Sequence, residues 1–237
     1  YIEVKEIIVK VGLQVSKDYL NSILKVSFKK DGSLLTNSDI KAHRLLSEEL
    51  KKYSSWPIIS EEGDFSASQN LSKIYWLIDP IDGTKEFLSG SGEFTVNIAL
   101  MVNNNPSLGF IYIPMTEDLY WGGSEYGAFK ENKNFKDKKV LSTKQFDESS
   151  LHLLTSHSYN AKVLSEIRKE FSDCHIQRYG SSLKFCLLAE GKADLYLRKG
   201  PTCEWDIAAG HAILDGAGGK LIDLEGDRFA YGKKDFL

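Results

Sequence analysis

The sequence predicts a chain of two characters, an α+β first half and an α/β second half, and three observations predict it. Apolar residues recur at helical spacing near the start. A series of short β-prone runs with turn residues between them fills residues 93–130. Beyond a lysine-rich stretch, helical and strand patterns alternate. The length, 237 residues, suits one large or two modest domains, and 42% hydrophobic residues supply enough apolar surface to offset the entropy of ordering.

Val4, Ile7, Ile8, Val11 and Val15 mark an opening amphipathic helix, and a second runs from about Ser38 to Lys52. Ile74 to Ile78 is an apolar strand that should stop at Asp79-Pro80, because proline cannot donate to a ladder. Glu93 to Val102, Gly109 to Ile113, Asp118 to Trp121 and Gly127 to Lys130 read as successive antiparallel strands. The polar stretch Glu131 to Lys139 is the candidate boundary between an N-terminal α+β domain, 1–139, and a C-terminal α/β domain, 140–237. Helices follow at Val163 to Phe171, Ser181 to Glu190 and Asp206 to Asp215, the last ending at Gly216. Ala193 to Arg198 and Lys220 to Leu224 are strand-like. A ligand site between the two halves is expected.

Thirty basic against 33 acidic residues give a net charge of −3, which argues against a nucleic-acid partner, since that needs a basic footprint. No apolar run approaches the roughly 18 residues of a membrane-spanning helix, and no leader pattern opens the chain. Its start at Tyr1 rather than Met leaves room for preceding residues. Cys174, Cys186 and Cys203, odd in number and without CxxC spacing, encode neither a disulfide framework nor a zinc site, so a reducing cytoplasm is the expected compartment.

Chemistry concentrates in three acidic clusters beside turns: Ser60-Glu61-Glu62-Gly63, Asp79-Pro80-Ile81-Asp82-Gly83-Thr84 and Trp205-Asp206. Asp79 and Asp82 straddle one turn, and Gly83 permits a ligand to approach the backbone. Carboxylates without His or Cys select hard cations such as Mg²⁺. Each cluster taken alone also reads as ordinary turn or cap chemistry. Thr36 and Asp39 likewise spell a capping box at the start of the second helix, Lys184 could sit on a solvated helix face, and Arg198 and Lys199 could guard a strand end.

From Asp31-Gly32-Ser33-Leu34-Leu35-Thr36-Asn37-Ser38-Asp39 through Trp76 to Phe87 and on to Trp205-Asp206, the chain resembles the lithium-sensitive, magnesium-dependent phosphatases that include inositol monophosphatase and 3'(2'),5'-bisphosphate nucleotidase. Gly92 to Leu100 and Gly180-Ser181-Ser182-Leu183-Lys184 are similar to the bacterial CysQ-type branch in particular. The resemblance implies a layered αβαβα sandwich and a cytoplasmic phosphomonoesterase, monomer or homodimer, using two or three Mg²⁺ ions. Its substrate would be a small phosphorylated nucleotide, 3'-phosphoadenosine 5'-phosphate, cleaved to AMP and phosphate. By the same resemblance Glu61, Asp79, Asp82 and Asp206 are metal ligands, together with the Ile81 carbonyl. Glu61 and Thr84 orient the attacking water, Asp39 completes a third metal position or helps activate that water, and the Gly83 and Thr84 amides hold phosphate. Ser181, Lys184, Arg198 and His157 fall on the substrate side.

One departure bears on substrate. Where that branch carries Ser-Arg-Ser-His, this chain reads Thr155-Ser156-His157-Ser158, so the arginine is absent and the histidine sits one place early. Two other readings are discriminated by assay: an inositol-1-monophosphatase would prefer the sugar phosphate, and a non-catalytic nucleotide-binding protein would bind without magnesium or turnover.

Overall fold

A computed structural model describes residues 1–21, 25–29, 32–63, 72–146, 150–171, 173–233 and 236; Asp31 of the motif above lies outside them. The chain opens with α1 (Ile2–Leu20), followed by a hairpin of β1 (Val26–Phe28) and β2 (Leu34–Thr36) and then α2 (Asn37–Tyr53). Next come β3 (Ile58–Ser60), β4 (Ile74–Asp82), a short α3 (Thr84–Ser89) and the meander β5 (Thr95–Val102), β6 (Asn105–Ile113), β7 (Asp118–Gly123), β8 (Gly127–Asn132) and β9 (Lys139–Leu141). Strands β3 to β9 form one seven-stranded sheet in sequence order, antiparallel except for the parallel β3–β4 pair.

Both faces of this sheet are covered, so its strands read as apolar runs rather than as alternating patterns. In β4, Trp76 and Ile78 join Val4, Ile8 and Val11 of α1 and Leu46 and Leu50 of α2 in one core, while Tyr75 and Leu77 join a second core on the opposite face. The same division by twos continues in β6, where Phe110 and Tyr112 face the first core and Ile111 and Ile113 the second.

The rest of the chain supplies that second face. It comprises β10 (His152–Ser156), α4 (Ala161–Glu170), β11 (His175–Tyr179), α5 (Leu183–Ala189), β12 (Leu195–Tyr196) and α6 (Glu204–Gly216). The buried side chains of α6, Ile207, Ala208, Ala209 and Ile213, pack on Tyr75, Ile111 and Tyr120 of the large sheet together with Phe185 and Leu188 of α5. Beyond them, β11, β10 and β12 form a small parallel sheet in that spatial order, with α4 as the crossover between β10 and β11. The layers therefore run α1/α2, large sheet, α5/α6, small sheet, with α4 as the remaining helix, which is the sandwich expected.

Three expectations need correction. Strand β4 does not stop before Asp79-Pro80 but continues to Asp82. Pairing to β3 ends at Ile78, and the register with β5 shifts between Asp79 and Asp82, so Pro80 sits in a bulge where no ladder bond is lost. The segment Lys220 to Leu224 is not a strand. A single bridge joins Ile222 to Arg228, and the Asp223 carboxylate accepts the amides of Glu225 and Asp227, closing a turn that leaves Ile222 and Leu224 exposed. The strand expected over Ala193 to Arg198 contracts to two residues.

Candidate active site

The bulge of β4 and the first turn of α6 meet at one edge of the α5/α6 layer. Carboxylate oxygens of Asp79, Asp82 and Asp206 lie there within 4.8 Å of one another, Asp79 buried and the other two half-buried. Each is fixed by its own segment. Asp79 Oδ1 accepts the Ile81 amide at 3.1 Å across the bulge. Asp82 Oδ2 accepts the Ser182 amide and is approached by Asn97 Nδ2 at 3.5 Å. Asp206, at the third position of α6, accepts the Cys203 amide at 3.2 Å and the Thr202 hydroxyl at 3.0 Å. The helix start and the bulge thus orient carboxylates that would otherwise repel each other apart.

Their electrostatics show that repulsion. Burial, then Glu61, Asp82 and Asp206, push Asp79 well above the usual carboxylate range. Burial, then Asp206, push Asp82 up to about 7, against the opposing pull of Lys184. Asp206 is raised by burial and by Glu61, with Arg198 opposing. Three buried or half-buried carboxylates held together at such cost, with no His or Cys among them, fit a hard divalent cation, which would offset two of the three charges. A cationic stand-in serves the adjoining acids, since Lys29 Nζ lies 2.6 Å from both Glu61 Oε1 and Glu62 Oε1. Burial alone would lower the Lys29 pKa, but the two glutamates raise it above its ordinary value, and burial pushes Glu62 up to about 7.

Asp39 caps a helix and also reaches the β4–α3 turn. It completes the capping box of α2, with Thr36 donating to Oδ2 through its amide at 2.8 Å and through its hydroxyl. Its other oxygen accepts the Thr84 hydroxyl at 3.4 Å, and that hydroxyl is also 3.4 Å from the Ile81 carbonyl. Gly83, at φ 91°, turns the chain from β4 into α3, and a Cβ there would stand 3.1 Å from the Glu93 carbonyl and 3.2 Å from the Ser181 Cβ. Only glycine takes that conformation without strain.

A cleft of about 180 Å³ opens beside the acids, lined among others by Asp82, Gly83, Asp206, Ser181, Lys184 and Arg198. The solvated-face reading of Lys184 does not hold. Its side chain is buried, donating to the carbonyls of Tyr179 and Ser181 and lying 5.1 Å from the Tyr196 ring, and burial pushes its pKa down to about 8. Arg198 Nη2 donates to the Pro201 carbonyl at 2.8 Å. His157 does not line this cleft; its Nε2 lies 2.8 Å from Glu93 Oε2. Glu93, which sequence reasoning did not single out, also accepts the Gly180 amide at 2.6 Å and so ties the Gly180–Ser182 turn to the metal side. Arg178, likewise unforeseen, donates to the carbonyls of His157 and Tyr159 and brings a guanidinium to the loop that lacks one in sequence.

An all-oxygen cation site on a layered αβ sandwich, beside two basic side chains, defines a metal-dependent enzyme acting on an anionic substrate. The profile of the Inositol monophosphatase family matches residues 2–237, and the chain belongs to that family. The 3'(2'),5'-bisphosphate nucleotidase CysQ of Buchnera aphidicola is 42% identical over 211 residues, covering 88% of this chain and 78% of the relative. The protein of the same name from Escherichia coli K12 is 38% identical, over 88% of this chain and 83% of its own. In three dimensions the crystal structure of CysQ from Bacteroides thetaiotaomicron superimposes with a TM-score of 0.83 at 32% identity, covering 99% of this chain and 93% of that one.

Proposed function

We propose that this chain is a 3'(2'),5'-bisphosphate nucleotidase that removes the 3'-phosphate of 3'-phosphoadenosine 5'-phosphate, with Mg²⁺ as its metal. The observation that carries the reading is that Lys184 and Arg198 line the same cleft as Asp82 and Asp206, which suits a substrate with a second phosphate beyond the one being cleaved. The relatives named CysQ support the same substrate.

In this reading Asp79, Asp82 and Asp206 hold the divalent cations, with Glu61 and the Ile81 carbonyl. Those cations, when bound, lower the pKa of a water molecule and neutralise the phosphate that would repel it. The Thr84 hydroxyl, between Asp39 and the Ile81 carbonyl, orients that water and passes its proton towards Asp39 Oδ1. The Gly83 and Thr84 amides receive phosphate oxygens, and Ser181, Lys184 and Arg198 receive the rest of the nucleotide, with His157 at the outer edge. Residues 1–139 then carry the metal ligands other than Asp206, and 140–237 carry specificity.

Phosphate release from 3'-phosphoadenosine 5'-phosphate and from inositol 1-phosphate, measured side by side with magnesium and with chelator, tests this. Strong preference for the nucleotide, lost with chelator and reduced by lithium, is expected. Preference for the sugar phosphate would make the protein an inositol monophosphatase, and nucleotide binding with no turnover would make it a non-catalytic binder. Lys184→Ala should raise KM for the bisphosphate by roughly tenfold or more, the loss expected for a charge-assisted contact, and raise it less for a simple monophosphate. Equal changes for the two substrates would remove Lys184 from specificity.

A further inference from the structure

The carboxylate of Glu204 is buried without lining the catalytic cleft or joining the converging acids, and the mechanism does not use it. It is the first residue of α6, two before Asp206. Its oxygens accept consecutive backbone amides from a segment 28 and 29 positions later, Oε2 that of Gly232 at 3.1 Å and Oε1 that of Lys233 at 2.9 Å. The same segment grips α6 further along, where the Tyr231 hydroxyl lies 2.9 Å from His211 Nδ1. It also meets the large sheet. Gly232, at φ 78°, leaves open a place where a Cβ would stand 2.5 Å from Asn104 Nδ2, and Asn104 Oδ1 accepts the Tyr75 hydroxyl of β4 at 3.4 Å.

Bonds from Thr202 and Cys203 set the Asp206 carboxylate within the first turn of α6, but they do not set where that turn stands relative to β4, which carries Asp79 and Asp82. Apolar packing of α6 on the sheet is non-directional, whereas a carboxylate held by two amides is directional at both oxygens. We propose that Glu204 is a positioning residue of the metal site: through residues 231–233 and Asn104 it ties the first turn of α6 to β4, and so keeps Asp206 within reach of one cation together with Asp79 and Asp82. The inference rests on the metal reading above. Hydrogen-bonded support around ligating carboxylates typically changes metal affinity by about 10- to 100-fold when it is lost.

Mg²⁺ titrated into the substrate-free protein and followed by calorimetry tests it, beside the Mg²⁺ dependence of phosphate release. Glu204→Gln leaves one oxygen for two amides and turns an NH₂ towards the other, so Mg²⁺ should bind about tenfold more weakly, and kcat should return towards the native value once Mg²⁺ is raised in proportion. Asn104→Gly, at an exposed turn position whose φ of 56° glycine takes readily, cuts the same tie at its other end without touching α6 and should weaken Mg²⁺ in the same direction. Combined, the two should weaken binding by less than the product of their separate factors, because they break one chain of contacts. Native Mg²⁺ affinity in either folded variant, whatever its melting temperature, would overturn the proposal. Should Glu204→Gln not fold, Asn104→Gly decides alone. A native chain that binds no Mg²⁺ would overturn the metal reading itself, and this inference with it.

Discussion

Asp82→Asn lowers kcat for phosphate release at least about 10²-fold, and it does so without weakening the metal-free fold. Both halves of this expectation come from one geometry. The Asp82 carboxylate lies within 4.8 Å of those of Asp79 and Asp206, so an amide there removes one of the charges that retain a divalent cation. In the metal-free protein the same charge is a liability, because folding raises the Asp82 pKa from 3.8 to about 7. A carboxyl raised in the folded state binds its proton more tightly there than in the unfolded chain. Stability of the metal-free protein therefore falls as pH rises through the window between those two values and stays low above it. Asp79 and Asp206, also raised, act in the same direction. Melting in chelator at about pH 5 and about pH 8 should show the native chain losing stability at the higher pH and Asp82→Asn losing less. Added magnesium should restore the native chain more than the variant. A variant with native kcat would remove Asp82 from the metal site.

Gly109→Ala, a single added methyl, is expected to destabilise the protein by about 2–3 kcal/mol, lowering Tm by roughly 4–12 °C. Gly109 stands in the middle of β6, paired with Ala99 and Gly122, where a Cβ would come 2.1 Å from the carbonyl oxygen and 2.8 Å from the carbonyl carbon of Ala209. Those atoms belong to the backbone of α6, so no side chain can swing aside, and the helix itself must move off the sheet. Asp206 lies one turn earlier on α6, so the same displacement carries a metal ligand away from Asp79 and Asp82. Activity should accordingly fall along with stability, since misplacement of catalytic groups by about 1 Å can cost on the order of 10² in rate. An unchanged melting temperature, read by calorimetry, would show that β6 and α6 are not in the contact described.

These two positions differ in how far they could be read in advance. Asp82 announces itself, because Asp79-Pro80-Ile81-Asp82-Gly83-Thr84 packs two acids, a breaker and a flexible glycine into six residues, and local chemistry of that density survives without knowledge of the fold. Gly109 does not, since its neighbour in space is a hundred residues away and a strand glycine carries no signal of what approaches it. The same limit applies at the site. The Ser182 amide on Asp82, the Glu93 carboxylate on Gly180 and the Lys29 ammonium on Glu61 and Glu62 all join residues at least 32 positions apart. Glu93 enters the sequence reading only as the start of a strand and within the Gly92 to Leu100 run, with no role of its own. Lys184 was ambiguous for a physical reason: a lysine on an amphipathic pattern is usually solvated, and only the turn at Tyr179–Ser181 supplies the carbonyls that pay for burying it.

By itself the sequence determined the kind of chemistry, an acid-only cation site on an α/β scaffold, together with both long N-terminal helices and the antiparallel meander, because helical and strand periods and the acids' side-chain chemistry are local properties. The tertiary structure alone decided that carboxylate oxygens of Asp79, Asp82 and Asp206 converge and that β4 bulges through Pro80 instead of ending before it. Those outcomes depend on distances across layers, and burial acts on a charge only once the layers have closed around it.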